Sequence, residues 1–326
     1  MRLRTRPSVR RPEPAFRSDC RSSERHGTMK SDHHSPLTWV GILCLVFAVL
    51  APTPCRGGEE SGRGPRIISL YAAHTEVLLR LGARDNLIGV SEQETYTGPE
   101  TEGWRPATFS FRDDVEKFLA ARPDIVLARP QHVAGGKHMK EALERAGIRV
   151  LAIQVTKAAD LYAYWRELGA LAGRTGAAEE MIAAFEAAVE RHRRASAEKR
   201  RPGVFVESIH REVKTFTPDS IPMWLVDLAG GRNVAADAEP ASPGVIIAEY
   251  GPERLLSKAP EVEVFISQEG TMNRVGLDAV RERDIYRPLK AFKTGRVYKI
   301  RESILARPTP SLLEGLELLS EWMEGE

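Results

Sequence analysis

From Arg66 onward, short apolar runs alternate with segments of helical periodicity, and the alternation runs through twice. That alternation restricts the fold more than any other feature. Strands interleaved with helices call for an α/β architecture whose sheets are mainly parallel and covered on both faces. RIISLY, NLIGVS, DIVLA and RVLAIQV read as strands of a first unit. HTEVLLRLG, Glu116–Ala121, KHMKEALERAG and AADLYAYWRELGALAG read as its helices, with Gly82 closing the first and Pro123 stopping the second. The most periodic segment follows, from Ala177 to Lys199. It consists of good helix formers, with acids early and bases late, and ends before Pro202. At ~1.5 Å per residue this helix is about 35 Å long. The alternation then restarts, with GVFVES, EVEVFIS and RVYKI as strands and PMWLVDLAGG and PTPSLLEGLELLSEWM as helices.

Two stretches repeat each other. RDDVEKFLAARPDIVLA and PERLLSKAPEVEVFI align with Glu116 over Glu253, and Pro123 and Pro260 each follow seven positions later. Each is one helix–strand unit, so the chain is read as two similar α/β lobes joined by one long helix. The expected division is a leader over 1–57, a first lobe over 66–176, a bridging helix over 177–200 and a second lobe over 201–326.

The leader reading rests on charge. Residues 1–28 hold eight arginines against three acids and lack apolar periodicity. Met29-Lys30 then opens a second beginning, followed by the charge-free run Leu37–Ala51. That run falls short of the roughly 20 residues a membrane-spanning helix needs. A basic start, a short apolar core and small residues after it describe a secretory signal. Met29 is therefore expected as the true start, with cleavage after Gly57 and export of the rest. A lipoprotein signal would instead acylate Cys55, although the prolines of APTPC depart from what such signals use. Of 47 basic and 45 acidic residues, ten and four lie in 1–57, so the remainder carries 37 and 41, a net charge of −4. That balance argues against a nucleic-acid partner. Cys20, Cys44 and Cys55 all fall in the leader, which leaves the rest without a disulfide or a thiolate metal site.

RIISLYAAHTEVLLRLGARDNLIGVS, VEKFLAARPDIVLA, AGIRVLAI, the long helix, PERLLSKAPEVEVFI and RPTPSLLEGLELL occur in an order that resembles the periplasmic substrate-binding proteins of ABC importers for ferric siderophores, haem and cobalamin. The resemblance covers nearly all of residues 66–326. It implies a monomer whose two lobes close over a metal chelate or corrinoid with no resident cofactor, and an ABC permease dimer in the inner membrane as partner. It also implies that Glu116 and Glu253, one on each lobe, dock into arginine-lined pockets of that permease, where a carboxylate can take two charge-assisted hydrogen bonds.

Ligand contacts are expected from strand-end loops facing the cleft. In the first lobe these supply Tyr71, Phe109, Phe111 and Arg112, with Trp104, Arg129 and His132 nearby. In the second lobe they supply His210, Lys214, Phe216, Gln268, Asn273, Arg274 and Arg307. Aromatic rings interleaved with guanidinium groups suit a large, flat or anionic ligand. His74 lies on the first helix and reads as a cap or core residue. The resemblance places a tryptophan of cobalamin binders where this chain has Ser110. Two other classes compete. An enzyme would need chemistry for which the sequence offers no G-x-S-x-G, Gly-rich phosphate loop or H-E-x-x-H. A zinc or manganese receptor would need converging ligands from His74, His132, His138, His192 and His210.

Overall fold

The computed structural model describes residues 64–325, apart from 243 and 272. The expected start, signal core, cleavage site and Cys55 all lie outside the described residues. Five strands form the first sheet: β1 Ile67–Ser69, β2 Leu87–Ser91, β3 Ala107–Phe109, β4 Ile125–Ala128 and β5 Arg149–Ala152. They run parallel in the order β3-β2-β1-β4-β5, with Ser69 level with Val90 and Leu127. β1 and β4 are buried along their whole length, which is why their sequences are unbroken apolar runs. Phe109, expected on a strand-end loop, instead ends β3. β3 is a three-residue edge strand beside Pro106 with two exposed positions, too short for a period of two to show.

The helices of this half are α1 Ala72–Arg80, α2 Val115–Ala121, α3 Pro130–Gly135, α4 Lys137–Arg145 and α5 Leu161–Leu171. Gly82, at φ +70°, ends α1: its N–H and that of Ala83 reach back to Leu79 O and Leu78 O at 2.9 Å. α6, Thr175–Ser196, follows as the longest helix. Its Phe185 packs edge-on against Trp165 of α5 at 4.9 Å and stacks on Trp224 of the second half at 6.4 Å. One buried ring thereby keys the long helix to both lobes. A second tie is the Trp165 indole N–H, which donates to Pro308 O at 2.9 Å.

The second half contains β6 Gly203–Glu207, β7 Thr215–Phe216, α7 Ile221–Leu228, β8 Arg232–Asn233, β9 Glu239–Pro240, β10 Ile247–Glu249 and α8 Pro252–Ser257. After these come β11 Val264–Glu269, α9 Leu277–Arg281, α10 Lys290–Thr294, β12 Val297–Arg301, α11 Glu302–Leu305 and α12 Leu312–Glu324. Its main sheet is parallel, in the order β12-β11-β6-β8. β7, β10 and β9 form a small antiparallel sheet. The segments 208–216 and 301–308, which hold residues expected on strand-end loops, supply β7 and α11 respectively. The mainly parallel α/β class expected from the alternation is the class observed. Among the described residues no helix is long and apolar enough to cross a membrane.

Candidate ligand-binding cleft

In the first sheet the strand order reverses at β1, so the chain leaves β1 and β4 toward opposite sides. A crevice opens beyond the carboxyl ends of two such strands. Tyr71 caps α1 just past β1, and Arg129 caps α3 just past β4. The Arg129 guanidinium lies over the Tyr71 ring, 4.8 Å from its centroid. Pro130 at the first turn of α3 fixes the exit angle, and the Arg129 backbone N–H donates to His132 Nδ1 at 3.5 Å. That bond leaves the His132 proton on Nε2, and burial together with Arg129 holds its pKa below the ordinary value. Phe111 stacks on His132 at 6.4 Å. Gly136 makes room for that ring, since a Cβ there would sit 2.6 Å from Phe111 Cδ1.

These side chains line a cavity of about 500 Å³ with Ser91, Glu92 and Gln93 from the end of β2. Thr271, Glu302 and Arg307 of the second lobe face them. The volume falls in the range of small-ligand sites. Arg307 is half-buried. Its Nη1 donates to Thr95 Oγ1 of the first lobe at 2.7 Å, and its Nε lies 3.9 Å from Glu302 Oε1 without a hydrogen bond. Gly270 lets the Glu302 carboxylate come close, because a Cβ there would meet Oε2 at 2.4 Å. The lining holds three arginines (Arg112, Arg129, Arg307) against Glu92 and Glu302, so it is cationic by one charge. Burial raises the Tyr71 pKa, and Arg129 and Arg307 pull it back.

Tyr71, Phe109, Phe111, Arg112 and Arg307 come together on this wall, with Arg129 and His132. The remaining expected residues do not line it. The reason lies at the matching reversal of the second sheet, between β6 and β11, which is filled by side chains of its own lobe. The fully buried Glu207 carboxylate accepts from Ser267 Oγ at 2.9 Å, from the Tyr286 hydroxyl, and from His210 Nδ1 at 3.0 Å. His210 therefore turns inward, and Arg283 donates to its backbone oxygen. Lys214 is held between Glu212 at 2.7 Å and Glu249 at 2.8 Å. Phe216, 1% exposed, belongs to the core. Asn273 ties its loop down: Nδ2 donates to Gln268 O at 2.5 Å, and Oδ1 accepts from the His210 backbone N–H at 3.1 Å. Gln268 is buried, and Arg274 is exposed on the adjoining turn.

Glu302, Gln93 and Thr271 join the lining beside the expected residues. Glu302 sits between Arg301 and Arg307, and Gln93 lies two residues past the end of β2, the kind of strand-end position that also holds Arg129. His74 is wholly buried, its Nδ1 2.7 Å from the Tyr164 hydroxyl and its Nε2 3.4 Å from Ala128 O. Among the described residues no three His, Cys, Asp or Glu side chains are grouped so as to hold a metal ion.

The profile of the family described as Periplasmic binding protein matches residues 67–304. An uncharacterized ABC transporter substrate-binding lipoprotein, YvrC of Bacillus subtilis strain 168, is 24% identical over 261 residues, 78% of this chain and 79% of its own. The Vitamin B12-binding protein of Vibrio cholerae serotype O1 is 25% identical over 260 residues, 79% of this chain and 89% of its own. Among solved structures, a possible iron-binding (periplasmic solute-binding) protein from Staphylococcus epidermidis matches with a TM-score of 0.68 at 21% identity. That match covers 81% of this chain and all of the other, and it shows the shared two-lobed fold.

Proposed function

Because the chain belongs to the periplasmic binding protein family, we propose that its cleft binds an iron chelate, or a haem- or corrinoid-like metal tetrapyrrole, and delivers it to an ABC importer. The observation that carries the reading is the Tyr71–Arg129 pair at the strand reversal, extended by Phe111, His132 and Arg112 and faced by Arg307. Rings give area at low entropic cost, and guanidinium groups neutralise carboxylate or catecholate oxygens. The relatives include one named for vitamin B12 binding and one for possible iron binding, which supports a corrinoid or iron-bearing ligand. Ser110 lines the cavity where the resemblance places a tryptophan of cobalamin binders, and that favours the iron chelate.

The moving units are taken as 66–176 and 201–326, with 177–200 as the strut between them. Glu116 and Glu253 serve as the docking carboxylates. Each stands in the first turn of its short helix, α2 or α8, and is exposed. The periplasm is the expected compartment. Titration of the purified protein against ferric hydroxamate, ferric catecholate, haemin and cyanocobalamin, read by tryptophan quenching, tests the reading. Saturable binding of at least one, and of the ferric chelates ahead of cyanocobalamin, is expected. Binding of free zinc or manganese with none of the four would replace it.

A further inference from the structure

The repeat that aligns Glu116 with Glu253 continues beyond the glutamates, and it continues in three dimensions. The next residue is a cation in both helices, Lys117 and Arg254. Each cation is drawn back onto its own lobe by one aspartate and one aromatic ring. Lys117 Nζ lies 2.7 Å from Asp113 Oδ2 and 5.1 Å from the centroid of Phe109. Arg254 Nη2 lies 2.9 Å from Asp237 Oδ2, and its guanidinium lies 4.5 Å from the centroid of Tyr250; Asp237 also holds Lys258 Nζ at 2.8 Å. The third residue, Phe118 or Leu255, is core, at 0% and 1% exposed. The fourth is a leucine in both. Leu119 is 39% exposed, one of only two large apolar side chains so exposed among the described residues, and Leu256 is half-buried.

Positions three apart share a helix face. Each lobe therefore presents a carboxylate with a leucine one turn on, while the neighbouring cation is compensated from behind. We propose that Glu116 with Leu119, and Glu253 with Leu256, form two matched docking couplets for a two-fold permease that offers a cation beside an apolar socket at each of two equivalent sites. This rests on the docking role given above to the glutamates and adds to it. An exposed ion pair in water contributes little, and a leucine seated beside it excludes water and strengthens it. Asp113 and Asp237 acquire a purpose outside their lobes: they stop Lys117 and Arg254 from folding over and neutralising the docking carboxylates. Glu116 and Glu253 themselves have no ion-pair partner among the described residues, which suits a cationic partner, and the duplication of the couplet suits a two-fold one.

Cosedimentation of the purified exported protein with inner-membrane vesicles of its source organism tests this. Melting curves and ferric-chelate titrations serve as controls on the same preparations. Leu119→Ser lies on the surface and is expected to weaken vesicle binding about tenfold with chelate affinity unchanged. Leu119→Ser with Leu256→Ser is expected to weaken it about a hundredfold, and that loss should persist at high salt. Asp113→Asn with Asp237→Asn is expected to weaken binding at low salt only. If both leucine variants bind like the wild type while Glu116→Lys with Glu253→Lys abolishes binding, the couplets are refuted and the glutamate docking stands. If none of these variants changes vesicle binding, the docking reading fails as well. Should the wild type dimerise and Leu119→Ser be monomeric, the face belongs to a second copy of the chain, and the proposal falls.

Discussion

His74 is held neutral by its surroundings. Burial drives its pKa from 6.5 to about 4, and in the neutral form one ring nitrogen accepts from Tyr164 while the other donates to Ala128 O. The unfolded chain takes up this proton near pH 6.5 and the folded chain only near 4, so the contribution is complete above 6.5 and lost as pH falls between the two. The loss is about 3 kcal/mol by linkage. Glu76, raised by burial, acts with the opposite sign: the folded state holds its proton longer, so its contribution falls as pH rises above 4.5. Urea unfolding at pH 7 and pH 4.5 should therefore show a smaller drop in His74→Gln than in the wild type, and equal drops would contradict the assignment. Arg307 and Phe216 separate affinity from stability. Arg307→Ala should weaken chelate binding by about 1.5–3 kcal/mol, the range for hydrogen bonds to charged groups, or roughly ten- to a hundredfold. Phe216→Ala should leave the affinity of folded protein unchanged and cost about 3–5 kcal/mol of stability, as for a buried ring. Titrations and urea curves on both variants decide it. In sequence the two residues looked alike, because a strand-end position does not say which way its side chain turns.

Elements long enough to show a period were legible. α1, α4, α5, α6, α7 and α12 follow from apolar spacing and from glycine or proline stops, and the buried β1 and β4 from unbroken apolar runs. β3, β7 and α11 were not, since two to four residues carry too little pattern and are formed by their neighbours. α6 runs from Thr175 to Ser196, close to the segment expected from composition, but its role depends on contacts that spacing does not reveal. Phe185, between Trp165 and Trp224, touches both lobes at once, while His192 and Ser196 bond to Ser320 and Leu228 of the second. Phe185→Ala should cost about 3–5 kcal/mol, and Phe185→Leu much less because it keeps most of the volume. Urea unfolding of both variants checks this, and a similar loss in both would point to the ring geometry in place of the volume.

At the scale of the whole molecule, two lobes with matched glutamates predict function that separates from ligand affinity. Reversing Glu116 and Glu253 to Lys should abolish uptake of labelled ferric chelate by cells while the purified variant binds that chelate as tightly as before, since neither residue lines the cleft. Each single reversal should leave partial uptake, and the defect should depend on ionic strength because the carboxylates are exposed. Normal transport by the double variant would remove the docking role. The lobes are alike in topology and differ in use. The strand reversal of the first opens into the cavity, while that of the second is closed by Glu207 and its partners.

The α/β class, the doubling, the long connecting helix and the cluster Tyr71, Phe111, Arg112 and Arg307 as cleft candidates are legible along the chain. These follow from periodicity, from a repeat at fixed spacing and from a resemblance across the whole region, all of them local or additive along the chain. That His210, Lys214 and Asn273 bond within their own lobe while Glu302 and Gln93 face the cavity follows from three-dimensional packing alone. A buried carboxylate such as Glu207 must find hydrogen-bond donors wherever the fold brings them near. It takes one from a strand 60 residues away and another 79 away, and those separations have no signature in the chain.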